Sequence, residues 1–463
     1  MSGPTSLRAR AFRAGRWILV AHGLSQVVRL ANSLIMTRLL APDAFGVMAI
    51  ASAIQIMVTL LSDIGLHQAI VQSSRGAERD FLRTAWTVQI LRGALIWLVC
   101  SLLAIGLAVA NSVGWITSHS VYADTRLPGV VVATSLTAVI LGFQSMKSIA
   151  HNRRLEMKHL TIMEIIGSMV GLCVAAGVGF ITGSVWSFVS GVIASALATT
   201  IISHIWLSGD SDRFGWEPAA LAELRRFGKW AFLSSASMAF SMNGDRFLLG
   251  LWLSPAALGN YSLAANLATL TEGIGNRLFT SLFFPALSEA ARSGHRRFIS
   301  VYFRMRWLTD AGFVWMAGLL FSAGPSIVSI MYDPRYAPAG AMLQYLSFGL
   351  LFNRYNLTGN AYLAIGKPNY VAAMNYLQLA SLFILVPVLF YTYGVTGAVI
   401  GIAFHRCPVI LLILVFNRKH SLNNIKLEFA AFGFWLVGYV SGLAAPYALN
   451  IWHQYRPVLH FGA

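Results

Sequence analysis

Ala41-Pro42-Asp43-Ala44-Phe45-Gly46 joins two long apolar runs: one opens at Gly15-Arg16-Trp17, and the other closes at Ser62-Asp63-Ile64-Gly65-Leu66. Shifted by 213 positions without a gap, Gly228-Lys229-Trp230 and Ser254-Pro255-Ala256-Ala257-Leu258-Gly259 repeat the pattern. Gly15, Trp17, Pro42, Ala44 and Gly46 all return as the same residue type. Glycine and proline punctuate helix ends, so their joint return marks equivalent turns better than shared apolar residues would. The chain reads as two related halves.

Composition sets the class. Of 463 residues, 57% are hydrophobic and only 11% charged, against roughly 25% charged in soluble domains. Apolar runs of about 20 residues, each enough to cross a bilayer as helix, return along the whole length. The expected fold is an all-α polytopic membrane protein; the short alternating segments of a β-barrel are absent from the sequence. We expect spans near 16–39, 43–68, 85–109, 128–150, 161–182, 184–207, 230–253, 257–283, 307–331, 339–364, 369–391, 395–416 and 428–450. From the start of one copy of the opening element to the start of the other the chain crosses six of these, an even number, so the halves keep one orientation and relate by an axis along the membrane normal. The expected architecture is two six-helix lobes in parallel repeat around a central cavity, plus an extra C-terminal helix. The N-lobe would occupy 1–210, a linker and C-lobe 211–426, and the extra segment and tail 427–463.

The formal charge of +17 would point to nucleic acid in a soluble protein. Its placement here points to topology. Arg8, Arg10, Arg13 and Arg16, then Arg75, Arg79 and Arg83, then Lys147, Arg153, Arg154 and Lys158, then Arg213, Arg225, Arg226 and Lys229 all fall on the N-terminal side of the expected membrane. Only Arg38, Arg126 and Arg335 fall on the other. Positive charge is retained in the cytoplasm, so the N-terminus is expected inside a plasma membrane, with anionic lipids and no nucleic acid as partners. Cys100, Cys173 and Cys407 lie within spans, with no disulfide framework or zinc spacing. The basic start followed by an apolar run could imitate a signal peptide, but the run is too long and contains Arg29.

Polar residues inside the spans are the candidate site. His22, Gln26, Arg29 and Ser33 share one helical face, as do Ser52, Gln55, Thr59 and Ser62 or Asp63. The second copy shows Ser234, Ser237, Ser241 and Asp245 beside Arg246, then Asn266, Thr269, Glu272, Asn276 and Thr280 beside Arg277. Arg29 lies about 18 Å along its helix from Trp17, near the middle of a core about 30 Å thick, where an arginine costs about 2.5 to 3.5 kcal/mol on the mildest insertion scale. Arg354 and Arg406 read as similarly deep. Two readings stand side by side: structural ion pairs with Asp63, Asp245, Glu272, Glu164 and Asp310, or a water-filled cationic cavity. On the cavity reading, Arg29, Arg246, Arg277 and Arg354 bind an anionic cargo, because the guanidinium fork matches phosphate and carboxylate. Asp63, Asp245 and Glu272 are then candidates for ion coupling or ion pairing. Arg92 can snorkel to headgroups, while His22, His67 and His405 read as packing residues. Glycines at 167, 171, 177, 179, 183 and 191 indicate close helix packing or bends in spans five and six. Residues 208–229 read as a polar bridge between the halves, ending in a helix on the cytoplasmic surface.

Leu39-Leu-Ala-Pro-Asp-Ala-Phe-Gly46, Ser62-Asp-Ile-Gly-Leu66 and Ala69-Ile-Val-Gln72 resemble the polysaccharide transporter (Wzx-like) branch of the multidrug, oligosaccharidyl-lipid and polysaccharide exporter superfamily. Asn243-Gly-Asp-Arg-Phe-Leu-Leu-Gly250 and Pro334-Arg-Tyr-Ala-Pro338 are similar to it too. The resemblance covers about residues 10–420. It implies a flippase, not an enzyme, moving undecaprenyl-diphosphate-linked oligosaccharide across a bacterial plasma membrane by alternating access, with polymerase or export proteins as partners. No resident cofactor is implied, and H⁺ or Na⁺ coupling stays open. The thirteenth span departs from the family's twelve-helix pattern. A cation-coupled multidrug exporter would share the lobes, though the deep arginines disfavour its commonly cationic cargo. A membrane glycan polymerase or transferase would need a sizeable outer catalytic loop, and no Walker motif is present.

Overall fold

Helix ends in this chain fall where the turn residues place them. The computed structural model describes residues 7–444 except 64, 74, 77, 154, 155, 210 and 211, together with Pro446. Within these, side chains are described except at 7–22, 225–234, 236, 237, 271, 274–278, 280 and 281. The described residues form helices and turns without strands, and they fall into two compact units, 1–256 and 257–463.

The first unit begins with α1 (Leu7–Leu39) and α2 (Pro42–Leu61). Pro42 opens α2 at a position where its missing N–H costs nothing, and Asp43 faces the positive end of the helix. The sequence predicts that this span runs to residue 68. It stops at Leu61 instead, and Gly65, in the left-handed region at φ 61°, redirects the chain into the short α3 (Leu66–Gln72). Next come α4 (Arg79–Ser112), a 3-10 turn at Val121–Ala123, α5 (Leu127–Gly142) and α6 (Lys147–Arg153). The expected span 128–150 is thus broken, with α5 and α6 bent by 67°. The carbonyls freed by the break are not orphaned: Gln89 Nε2 of α4 donates to the oxygens of Leu141, Gly142 and Gln144 at 3.2, 3.0 and 3.2 Å. Then α7 (Met157–Thr182), α8 (Trp186–Ile205) and α9 (Pro218–Trp252) complete the unit. Helix α7 packs along α8 and α1, while α2 packs on α5 and α9.

Gly171 and Gly191 set how closely α7 and α8 approach. A Cβ at Gly171 would lie 2.8 Å from the Gly191 carbonyl oxygen, and one at Gly191 would lie 2.7 Å from Ala175 Cβ. In a bilayer, where lipid tails are as apolar as leucine, such backbone proximity is what holds helices together.

Helix α10 (Pro255–Leu278) leads into a π-helical turn at Phe279–Phe283. The second unit continues with α11 (Phe284–Ser293) and α12 (His295–Met331). The expected span 339–364 is divided into α13 (Ala337–Leu346), α14 (Leu350–Asn353) and α15 (Asn356–Ala364). Spans eleven and twelve correspond to α16 (Pro368–Phe404), which breaks at Gly394 (φ 63°, ψ −146°), followed by α17 (Cys407–His420). The extra C-terminal segment forms α18 (Ile425–Gly442), packed along α12.

By length and composition, six helical stretches among the described residues are long and apolar enough to cross a membrane, or seven if the bent α5–α6 pair counts as one span. Thirteen spans were expected from apolar runs. Polar and charged side chains dilute α1, α9, α10 and α18, the breaks around 347–355 leave pieces too short to qualify, and α16 with α17, expected as two spans, counts as one stretch.

Candidate functional site

Helices α1, α2, α5, α7 and α8 wall a cavity of about 820 Å³ in the first unit. Helix α2 presents Ser52, Gln55 and Thr59 to it, the face that the four- and three-residue spacing predicts. From α1 come Ser25, Arg29 and Asn32, so Arg29 faces the cavity with different neighbours from the expected Gln26 and Ser33. Gln55 is held in place because its Nε2 donates to Thr137 Oγ1 of α5 at 2.7 Å. Ser168 and Glu164 of α7 and Ser195 and Thr199 of α8 supply the far wall. Arg29 is exposed to this space, and among the described residues it has no ion-pair or side-chain hydrogen-bond partner.

A second, smaller cavity of about 420 Å³ lies where α2 and α5 end. Asp63, His67, Gln89, Arg92 and Glu164 border it, and Glu164 borders both cavities. Asp63 is not placed beside Arg29. It accepts from the Gly65 amide at 2.9 Å and from Ser235 Oγ at 3.1 Å, and Arg92 stands 3.9 Å away. Arg92 itself donates to the carbonyls of Thr59 and Ser62 and so caps the end of α2.

Arg354 has a different setting from Arg29. In the second unit its Nη1 lies 3.4 Å from Asp310 Oδ2, and its Nη2 donates to Glu428 Oε2. Arg306 grips Asp310 through Nε at 2.8 and 3.0 Å and reaches Glu428 Oε1 at 3.0 Å. Asp310 is fully buried. Both guanidinium carbons stack on the Tyr355 ring, 4.4 and 4.8 Å from its centre. Arg306 and Glu428 escaped the sequence reading because they sit at the edges of apolar runs. The spacing of four between Arg306 and Asp310, on one helix face, was the available signal. Arg406 donates to Asn353 Oδ1. Arg246 and Glu272 are half-buried, and Asp245 is partnered. The Arg277 side chain lies outside the described residues.

On the loop side, Arg126 Nη2 joins Asp43 Oδ2 and Asp124 Oδ2, both at 2.7 Å, tying the start of α2 to the start of α5. Burial pushes the Asp124 carboxyl up, but hydrogen bonds from the Arg126 side chain and amide outweigh it and hold Asp124 below its ordinary value. Hydrogen bonding to Asp124, against burial and with Asp43 helping, holds the Arg126 guanidinium above its own.

The sequence profile of the family described as "Polysaccharide biosynthesis protein" matches residues 35–339. The chain belongs to this family. Its relatives include an "Uncharacterized membrane protein in cps region" of Klebsiella pneumoniae, 22% identical over 92% of this chain and 85% of the relative. The "Lipopolysaccharide biosynthesis protein WzxC" of Escherichia coli K12 is 20% identical over 96% of this chain and 89% of the relative. Among solved structures, the lipid II flippase MurJ in an inward closed conformation aligns with a TM-score of 0.69 at 14% identity, covering 95% of this chain and 99% of that one. That likeness shows a shared fold. A member of the polysaccharide biosynthesis protein family with these helices is a multi-pass membrane protein.

Proposed function

We propose that this protein flips undecaprenyl-diphosphate-linked oligosaccharide from the inner to the outer leaflet of a bacterial plasma membrane, as a step in cell-surface polysaccharide biosynthesis. The reading places the N-terminus in the cytoplasm and has two lobes alternate access to the cargo. The observation that carries it is Arg29, an exposed arginine without a counter-ion among the described residues, in a mostly apolar cavity to which several hydroxyl and amide side chains also turn. The planar fork of Arg29 suits a diphosphate, and Ser52, Gln55, Thr59 and Asn32 suit sugar hydroxyls. The names of the relatives, a cps-region protein and a lipopolysaccharide biosynthesis protein, support the same cargo class.

The test is a strain in which this protein is the sole flippase, with lipid-linked oligosaccharide and protein abundance measured together. Arg29→Ala should accumulate normally in the membrane yet lower export by roughly tenfold or more, the equivalent of about 1.4 kcal/mol or more. Arg29→Lys should recover only part, since a point charge cannot reproduce a two-pronged contact. Normal export by an abundant Arg29→Ala protein would remove the proposal.

Glu164 in the same cavity favours a second reading, a cation-coupled exporter of cationic compounds. On that reading Glu164→Gln abolishes drug export and Arg29→Ala spares it.

A further inference from the structure

Glu428 is the exposed member of a cluster that is otherwise buried. Its side chain is 37% exposed, whereas Arg306, Arg354 and Asp310 are 4%, 11% and 0% exposed. The two carboxylate oxygens are split between two cations, with Oε1 on Arg306 Nη2 at 3.0 Å and Oε2 on Arg354 Nη2. The Tyr355 hydroxyl donates to Oε2 at 3.0 Å. The buried Arg354 Nε has no acceptor. Without Glu428, two guanidinium groups would face one carboxylate, leaving one positive charge and at least three N–H or O–H donors aimed at the place its oxygens now occupy.

We propose that Arg306, Arg354 and Tyr355 form a phosphate-binding site in which the Glu428 carboxylate is an internal ligand, displaced when a phosphate group enters. A phosphate presents two non-bridging oxygens, as the carboxylate does, and arginine forks bind either. The displacement needs only a side-chain swing. Along the rest of α18, a Cβ at Gly438 would lie 2.0 Å from the Trp315 carbonyl oxygen, and one at Gly318 of α12 would lie 2.1 Å from that of Trp435, so the helix backbone is clamped on α12 and only the Glu428 side chain has to move. The polar stretch Asn417-Arg-Lys-His-Ser-Leu-Asn-Asn424 ends where α18 begins, so Glu428 stands about one turn from a basic, polar segment and opens the apolar run expected over 428–450. The phosphate could belong to a phospholipid headgroup or to the diphosphate of a lipid carrier. The proposal deepens the flippase reading in naming a phosphate ligand, and the site itself does not depend on Arg29.

The test measures inorganic diphosphate binding by calorimetry to the full-length protein in maltoside detergent, which carries no phosphate. An Arg29→Ala background silences the other candidate site. Glu428→Gln should bind diphosphate roughly tenfold tighter than the parent or better. Glu428→Asp, which keeps the charge but cannot span both guanidinium groups, should fall between. Equal affinities across the three proteins, or no binding to any, would overturn the proposal. If Glu428→Gln is poorly folded, diphosphate should raise its thermal midpoint more than that of Glu428→Asp, and an equal or absent rise would overturn it as well. Repeating the titration in nanodiscs containing phosphatidylglycerol separates the sources. A weakened diphosphate affinity assigns the site to headgroups, and an unchanged one assigns it to the carrier diphosphate. Export by Arg29→Ala is scored separately, so either proposal can fail alone.

Discussion

Arg354 and Glu428, 74 residues apart in the chain, share a hydrogen bond in which Nη2 donates to Oε2 at 2.5 Å. With Asp310 on its Nη1, Arg354 is committed to two carboxylates, one of them fully buried. Taking one partner out of such a set leaves charge uncompensated in a low-dielectric place, at a cost of about 3 kcal/mol or more. Arg354→Ala should therefore lower membrane abundance and thermal midpoint, whereas Arg29→Ala should change neither. Equal abundance of both variants and wild type would show that the ion pairs around Arg354 do not support the fold.

The Arg126 bridge gives a pH-dependent expectation. Because Asp124 is held below its ordinary value in the folded protein, its contribution to stability is complete above the unfolded value, about 3.9. It is lost as pH falls through the lower folded value. Asp124→Asn should lower the thermal midpoint at neutral pH, and the gap to wild type should close on acidification. A gap that stays constant down the acid range would show that Asp124 acts through shape and not through charge.

Gly171 and Gly177 lie on the same helix and make a matched pair. A Cβ at Gly171 meets the Gly191 backbone at 2.8 Å, while one at Gly177 meets nothing within 4 Å. Overpacking of a tight contact costs roughly 1 to 3 kcal/mol. Gly171→Leu should reduce folded protein and export, and Gly177→Leu should be tolerated, as size-exclusion profiles of the two purified variants would report. Similar behaviour of the pair would mean that α7 and α8 can separate at no cost.

What was legible in the sequence was local. The Pro42 turn, the face formed by Ser52, Gln55 and Thr59, and the cavity-facing position of Arg29 all follow from helix period and turn chemistry within a few tens of residues. Asp63 was misplaced because the spacing that puts it on the α2 stripe holds only while the helix continues, and the helix ends two residues before it. Partner choice for Arg354 was hidden for another reason. Asp310 and Glu428 stand 44 and 74 residues away, and only the packing of α12, α14 and α18 brings them together. The breaks in α5–α6 and α13–α15 were equally invisible, because an apolar run reads the same whether or not tertiary contacts interrupt it.

On the proposed function, an ion-coupling role would fall to Glu164, a carboxylate that borders both cavities of the first unit. It lies on α7 between the cavity that contains Arg29 and the smaller one bordered by Asp63, His67 and Arg92. A group reached from both spaces can take up a proton from one and release it to the other when access alternates, whereas Asp63 is occupied by the Gly65 amide and Ser235. In proteoliposomes with an imposed pH gradient, Glu164→Gln should lose the gradient-stimulated part of flipping by roughly tenfold while retaining cargo binding, since the amide keeps the shape but cannot ionise. Glu164→Asp should keep part of the stimulation. If Glu164→Gln responds to the gradient as wild type does, the coupling residue lies elsewhere. If a Na⁺ gradient and not a proton gradient restores flux to wild type, Glu164 binds the metal ion in place of the proton, and the Gln variant should then lose Na⁺ stimulation instead.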